Sequence, residues 1–242
     1  MNIGIIGYGR MGKTIEGICK DRGHTIGAVI DISNQEEIRS LNTRNIDVAI
    51  EFTQPQSAYE NIIALLEQKI PVVSGTTGWL DRMEEVTQAV QKYETGFFYA
   101  PNFSIGVNLF FAISEYAAAL MNKFPEFGVH IEEIHHIHKL DSPSGTAIHL
   151  ANGIIDKIDR KTNWINERSS DSQQLEILSD RQPDVPGIHS AVYTGPHDTI
   201  ELKHTASSRL GFATGAVLAA EFLKGKKGIY TMKNLLESIE NS

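Results

Sequence analysis

One cysteine, Cys19, is all that this 242-residue chain offers to thiol chemistry. It has no partner in its own chain, so no disulfide framework holds the fold, and a reducing, cytoplasmic setting is expected. A lone cysteine and the absence of an H-E-x-x-H pattern also leave the familiar zinc motifs unfilled. Basic residues are in deficit: 22 Lys and Arg stand against 30 Asp and Glu, a formal charge of −8. That is the wrong sign for a nucleic-acid footprint, though it leaves room for a local basic pocket. No apolar run reaches membrane-spanning length, and the start of the chain shows no basic stretch followed by an apolar block. Internal repeats and low-complexity tracts are missing as well. What remains is 41% hydrophobic and 21% charged residues, the composition of an ordinary globular protein with core enough for one large domain or two modest ones.

Chemistry concentrates in residues 132–146, Glu-Glu-Ile-His-His-Ile-His-Lys-Leu-Asp-Ser-Pro-Ser-Gly-Thr. The apolar lead-in from residue 128 to 136 reads as a strand, and residues 148–158 carry apolar side chains at helical spacing. Asp141 or Ser142 is expected to cap that helix, with Pro143 in its first turn. The N–H groups of Ser144, Gly145 and Thr146 would then face out of a helix start, where a carboxylate or phosphate binds readily. His135, His136, His138 and Lys139 sit on the rim of this anion pocket, able to move protons near neutral pH. The bland alternative is a polar connection with solvated histidines. Zinc ligation by His135, His136 and His138 lacks a supporting motif, so no metal is expected.

The chain opens with an apolar run, residues 3–6, that breaks at Gly7-Tyr8-Gly9-Arg10-Met11-Gly12 and continues as a helix to about Arg22. G-x-G-x-x-G between a strand and a helix is a dinucleotide turn: the first glycine makes the turn, the second admits a pyrophosphate, and the third lets the helix pack close. Asp31 closes the next strand, residues 25–30, where an acidic group hydrogen-bonds the adenosine ribose and disfavours a 2′-phosphate; its other reading is a cap. Strands at 46–53, 72–74 and 96–100 alternate with helices at 56–69 and 80–93, which predicts a parallel, doubly wound sheet. Its ligand crevice lies at the strands' carboxyl ends, where Phe52–Pro55, Gly75-Thr76-Thr77-Gly78 and Ala100-Pro101-Asn102-Phe103 emerge. A long apolar helix, 105–122, follows, its aromatics read as core. Beyond it, strands at 175–178, 190–193 and 199–205, a turn at Gly195–Asp198 and an exposed excursion at 161–173 predict an α+β unit with a mixed sheet. Helices at 211–223 and 229–239 are expected to return to the first domain. The fold class is thus α/β: a Rossmann-like domain, 1–103 with 211–242, and a second domain, 104–210.

The glycine turn, Gly75–Gly78, Asn102-Phe103-Ser104-Ile105-Gly106-Val107-Asn108 and His135–Ala147, in this order over most of the chain, resemble 4-hydroxy-tetrahydrodipicolinate reductases, also called dihydrodipicolinate reductases. The resemblance implies reduction of a cyclic dicarboxylate by NADH, NADPH or both, in the bacterial route to lysine and diaminopimelate, by a homotetramer assembled through its substrate domain. It implies that His135 is the catalytic histidine, Lys139 the proton donor, His136 a substrate contact, and Ser144, Gly145 and Thr146 the carboxylate site. Cofactor contacts map onto Gly7, Tyr8, Gly9, Arg10, Met11, Gly12, Asp31, Gly75, Thr76, Thr77, Ala100, Pro101, Asn102 and Phe103, with NADH slightly favoured by Asp31. This chain departs from the pattern at Ile137, where the family often has Arg, in a glycine turn one residue shorter, and in a shorter segment after Asp31. Other readings of the same residues are a different small dehydrogenase, a non-catalytic dinucleotide sensor, and a metal-binding module.

Overall fold

The computed structural model describes residues 1–208 and 210–240, so Arg209 and the last two residues of the expected 211–242 return lie outside the described residues. The chain divides into two compact units, Met1–Ile105 with Leu210–Ser242, and Gly106–Arg209.

The first unit is built on strands β1 (Asn2–Ile6), β2 (Thr25–Ile30), β3 (Val48–Glu51), β4 (Val72–Ser74), β5 (Gly96–Tyr99) and β11 (Gly228–Tyr230), in the order β11-β5-β4-β3-β1-β2. Every pairing is parallel. Parallel sheets need cover on both faces, and the strands' apolar alternation divides accordingly. Ile3, Ile5, Val48, Ile50 and Phe98 pack with helices α1 (Arg10–Asp21) and α6 (Leu210–Leu223). Ile6, Ala49, Val72 and Phe97 pack with α2 (Pro55–Glu67) and α3 (Met83–Tyr93). Strand order reverses at β1, which pairs with β2 on one side and β3 on the other. A crevice therefore opens beyond the carboxyl ends of β1 and β3, where ligands bind in such sheets.

The second unit has a five-stranded sheet, β10-β9-β6-β8-β7, from β6 (Gly128–His135), β7 (Asn163–Ile165), β8 (Gln174–Arg181), β9 (Ile188–Thr194) and β10 (Thr199–Thr205). It is mixed: β6 pairs with β8 in parallel and with β9 antiparallel. One face carries Val129, Ile131, Leu175, Ile177, Ala191 and Tyr193 against α4 (Ile105–Met121) and α5 (Gly145–Ile155). Gly195 donates to Asp198 O at 2.9 Å to close the β9–β10 hairpin.

Three expectations are corrected. Residues 229–239 are not one helix: Gly228, at φ +108°, leads into a strand paired with β5, and α7 (Met232–Glu240) starts after Thr231, whose N–H donates to Asn234 Oδ1 at 3.0 Å. The excursion at 161–173 contains β7, with Trp164 packed on the core. The aromatics of α4 divide: Phe110 and Phe111 are core, but Tyr116 is 69% exposed on a stripe with Leu109, Ile113 and Leu120. No helix among the described residues is long and apolar enough to cross a membrane.

Candidate active site

In the first unit the glycine turn is shaped by what surrounds it. Gly7 adopts φ +92°, and a Cβ there would meet Phe52 O at 2.1 Å. A Cβ on Gly12 would meet Gly7 O at 2.1 Å, so α1 could not start this close to β1 with any larger residue. A Cβ on Gly9 would meet nothing within 4 Å, which leaves the turn's outer side open to a ligand. Gly7, Tyr8, Gly9 and Asp31 line a cavity of about 530 Å³ with Ile32, Gln35, Phe52 and Thr53. Met11, Gly75, Thr76 and Thr77 line a second space of about 250 Å³ that shares Phe52 and Thr53. Open glycine backbone, an acid at the end of β2 and adjoining cavities at the switch point suit a dinucleotide laid across the strand ends. Asp31 lies where both of its expected roles are open to it. It is exposed on this cavity, and its N–H donates to Asn34 Oδ1 at 2.8 Å, starting the 3-10 segment Ile32–Ser40.

Arg10, Gly12, Ala100, Pro101, Asn102 and Phe103 line neither cavity. Ala100 and Phe103 are buried in the core, Phe103 with its ring centroid 5.7 Å from that of Phe52 and 5.8 Å from that of Phe98. A side-chain contact from either to a cofactor is corrected on that ground. Thr76 is also committed inward: its hydroxyl donates to Glu51 at 2.8 Å and accepts from Thr53 N–H at 2.8 Å. Glu51, which no motif singles out, is fully buried and collects Thr53 N–H at 3.0 Å, the Thr53 hydroxyl, the Ser74 hydroxyl at 2.6 Å and the Thr76 hydroxyl. Both its oxygens are engaged, Oε1 by Thr53 and Thr76 and Oε2 by Ser74. It ties the loops leaving β3 and β4 into one crevice wall. Its one sequence signal is a carboxylate ending the apolar run Val48-Ala49-Ile50.

In the second unit His135 ends β6, and a turn closed by Lys139 N–H to His136 O at 3.1 Å carries the chain toward α5. The cap of α5 is Ser144, not Asp141 or Ser142. Its hydroxyl accepts from Ala147 N–H at 3.1 Å, and its own N–H donates to Glu133 at 3.0 and 3.2 Å. Ser144 therefore offers a ligand neither N–H nor a free hydroxyl, which corrects its place in the expected anion site. Gly145 and Thr146 remain. Neither N–H has a partner among the described residues, and a Cβ on Gly145 would meet nothing within 4 Å. The Lys139 ammonium lies 2.9 Å from Asp141 Oδ1 in a partly exposed pair, which costs little to open. His136 lies 6.2 Å, ring to ring, from His138.

His135 Nδ1 lies 3.3 Å from Glu133 Oε2, and its ring stands edge-on to that of His189, with centroids 4.9 Å apart. Burial pushes the Glu133 carboxyl up, but the facing His135 ring and hydrogen bonds from Ser144 and Ser179 outweigh it and hold the group well below the usual carboxylate range. His189 is pushed down to about 4, first by burial and then by the charge of His135. Glu133, His135 and His189 bring ligand-type atoms within 4.8 Å of one another, a cluster different from the three consecutive-region histidines weighed for zinc. Glu133 already accepts from Ser144 and Ser179 there.

Comparison with known proteins gives a consistent result. The family model described as dihydrodipicolinate reductase, N-terminus, matches residues 1–103, and the one described as dihydrodipicolinate reductase, C-terminus, matches residues 106–236. A 4-hydroxy-tetrahydrodipicolinate reductase of Christiangramia forsetii is 47% identical over 239 residues, 99% of each chain. One of Neisseria meningitidis is 32% identical over 228 residues, covering 91% of this chain and 83% of its own. Among solved structures, a dipicolinate-bound dihydrodipicolinate reductase from Paenisporosarcina has a TM-score of 0.77 at 24% identity, covering 96% of this chain and 97% of its own. An amine dehydrogenase from Mycobacterium smegmatis has a TM-score of 0.62 at 11% identity, covering 95% and 94%, a likeness of fold. With both halves matched by one family's models and a full-length relative at nearly half identity, this chain belongs to the dihydrodipicolinate reductase family of NAD(P)H-dependent oxidoreductases, which serve lysine and diaminopimelate biosynthesis.

Proposed function

We propose that the chain reduces the conjugated imine ring formed from 4-hydroxy-tetrahydrodipicolinate, with His135 and Lys139 handling the proton and the start of α5 holding a ring carboxylate. The observation that carries this reading is that one carboxylate, Glu133, joins His135 Nδ1 at 3.3 Å to the N–H of the residue capping α5 at 3.0 Å. The histidine and the anion-binding helix start are thus held as one assembly, with Lys139 in the loop between them. A dihydronicotinamide bound along the strand ends of the first unit supplies the hydride. The N–H groups of Gly145 and Thr146, at the positive end of α5, bind the substrate carboxylate. His136 and Lys139 add positive charge where negative charge develops on the ring, and Lys139 or His135 delivers the proton that completes the reduction.

Lys139→Ala tests the assignment with NADH oxidation and freshly generated substrate. Turnover is expected to fall by about 10²–10⁴-fold, the scale of a lost general acid; near-normal turnover overturns the role. For the cofactor, the cavity wall beyond β2 presents Asp31, Ile32 and Gln35 with no Lys or Arg among its described lining residues. This favours NADH, because a 2′-phosphate beside Asp31 is repelled and unclamped. A higher kcat/KM with NADPH than with NADH contradicts it. The exposed stripe of Leu109, Ile113, Tyr116 and Leu120 is the kind of surface that a subunit interface covers. A homotetramer of the second unit in the cytoplasm fits it, and light scattering of the purified protein at monomer mass overturns it.

A further inference from the structure

Behind His135 stands a set of buried polar groups that no sequence motif marks. The register of the second sheet assembles it: on β6, Glu133 lies opposite Ser179 of β8 and His189 of β9. Glu133 is 0% exposed and His189 4%. Glu133 Oε1 accepts from Ser179 Oγ at 2.7 Å and lies 3.7 Å from the Arg181 guanidinium, while Oε2 faces His135 Nδ1 at 3.3 Å and His189 Nε2 at 3.7 Å. Two imidazoles therefore approach one oxygen, His135 at the shorter distance. The Ser144 hydroxyl accepts from Ala147 N–H at 3.1 Å and also lies 3.1 Å from His189 Nε2. His189 Nε2 is thus nearer to Ser144 than to Glu133. His135 Nδ1, buried and without another polar partner among the described residues, is the nearer of the two nitrogens to Glu133.

We propose that Glu133 is a positioning residue for the reduction, keeping a proton on Nδ1 of His135 so that Nε2 is the atom presented to the substrate. A second feature points to the same atom. At Gly187 a Cβ would stand 3.1 Å from His135 Nε2 and 3.3 Å from Cδ2, so the glycine keeps that nitrogen uncrowded. The inference rests on the assignment of His135 to proton transfer made above. Charged and titratable groups face His135 from each element around it: Glu133 on β6, Arg181 on β8, His189 on β9 with His204 of β10 beyond it, and Lys139 and Asp141 in the following loop. Glu133 is the fully buried carboxylate among them.

Two measurements test this. In the wild-type protein, nitrogen-15 NMR of labelled histidine reports which ring nitrogen carries the proton, and comparison with His135→Gln picks out this signal among nine histidines. The Nδ1–H tautomer is expected, and an Nε2–H tautomer overturns the proposal whether or not any variant folds. Glu133→Gln keeps the volume and an oxygen for Ser144 and Ser179 but removes the charge. Its pH–rate profile is expected to differ from that of wild type, with kcat reduced and KM for NADH within about twofold of wild type. A profile that superimposes on wild type overturns the proposal. If His135→Gln retains normal turnover, the catalytic assignment of His135 is what fails, and the tautomer result still judges Glu133.

Discussion

Replacing Glu51 separates a buried hydrogen-bond hub from ordinary packing. In Glu51→Ala, Thr53 N–H keeps its contact with the Thr76 hydroxyl at 2.8 Å, but the hydroxyls of Thr53, Ser74 and Thr76 lose the acceptor that Glu51 provided. Ser74 and Thr76 are 0% and 7% exposed, so water reaches them poorly. At about 1–3 kcal/mol for each stranded buried donor, the loss comes to roughly 3–6 kcal/mol after partial relief. Glu51→Gln behaves differently. Its oxygen can replace Oε1, which receives the two threonine hydroxyls and Thr53 N–H, while its amide faces only Ser74, whose hydroxyl can turn to accept. What remains is the lost charge assistance, about 1–2 kcal/mol. At about 2–4 °C per kcal/mol for a chain of this size, thermal unfolding should place Glu51→Gln a few degrees below wild type and Glu51→Ala lower still, by about 9 °C at the middle of these ranges. NADH affinity, read by fluorescence titration, should weaken in the same order because the crevice wall loosens. If the alanine and glutamine variants melt together, the carboxylate is not the hub described.

Further outcomes follow from particular contacts. Gly12→Ala places a methyl 2.1 Å from Gly7 O; α1 must shift, costing about 1–3 kcal/mol, and NADH binding measured by titration should fall with it, while unchanged binding refutes the close-packing argument. His189, pushed down to about 4, stays neutral in the fold at pH values where the unfolded chain's histidine, with a usual value of 6.5, takes up a proton. Its contribution is thus present above about 6.5 and lost as pH falls toward 4, at up to about 1.4 kcal/mol per pH unit; urea unfolding at several pH values should show this slope flattened in His189→Gln, and equal slopes would contradict it. Trp164→Ala should destabilise by about 3 kcal/mol or more if β7 holds its edge by this ring, and a near-zero change in urea midpoint would remove β7 from the core.

Local signals made much of the fold readable. The glycine turn after Ile6 and the alternation of short apolar runs with helical periods announce a doubly wound sheet, because each depends on neighbours a few residues apart. The second helix of the carboxyl-terminal stretch misled because Ile229 and Tyr230 have apolar side chains that serve a strand as well as a helix, and only the partner strand β5 decides. Tyr116 lies outside the core: helical spacing marks an apolar face without saying what covers it. The groups around His135 were illegible for a different reason: Ser179 meets Glu133 from 46 residues away and His189 meets Ser144 from 45, and strand register, which no local pattern encodes, brings them together.

The placement of β11 has a consequence for how the chain comes off the ribosome. The second unit is one continuous stretch, but the first needs both ends of the protein: α6 covers a face of its sheet and β11 closes the edge beside β5. During synthesis the second unit can finish while the first still shows an open strand and a bare apolar face, the condition in which nascent chains pair wrongly with one another. Truncating the final thirty or so residues should therefore yield a chain whose middle portion resists protease and whose beginning does not.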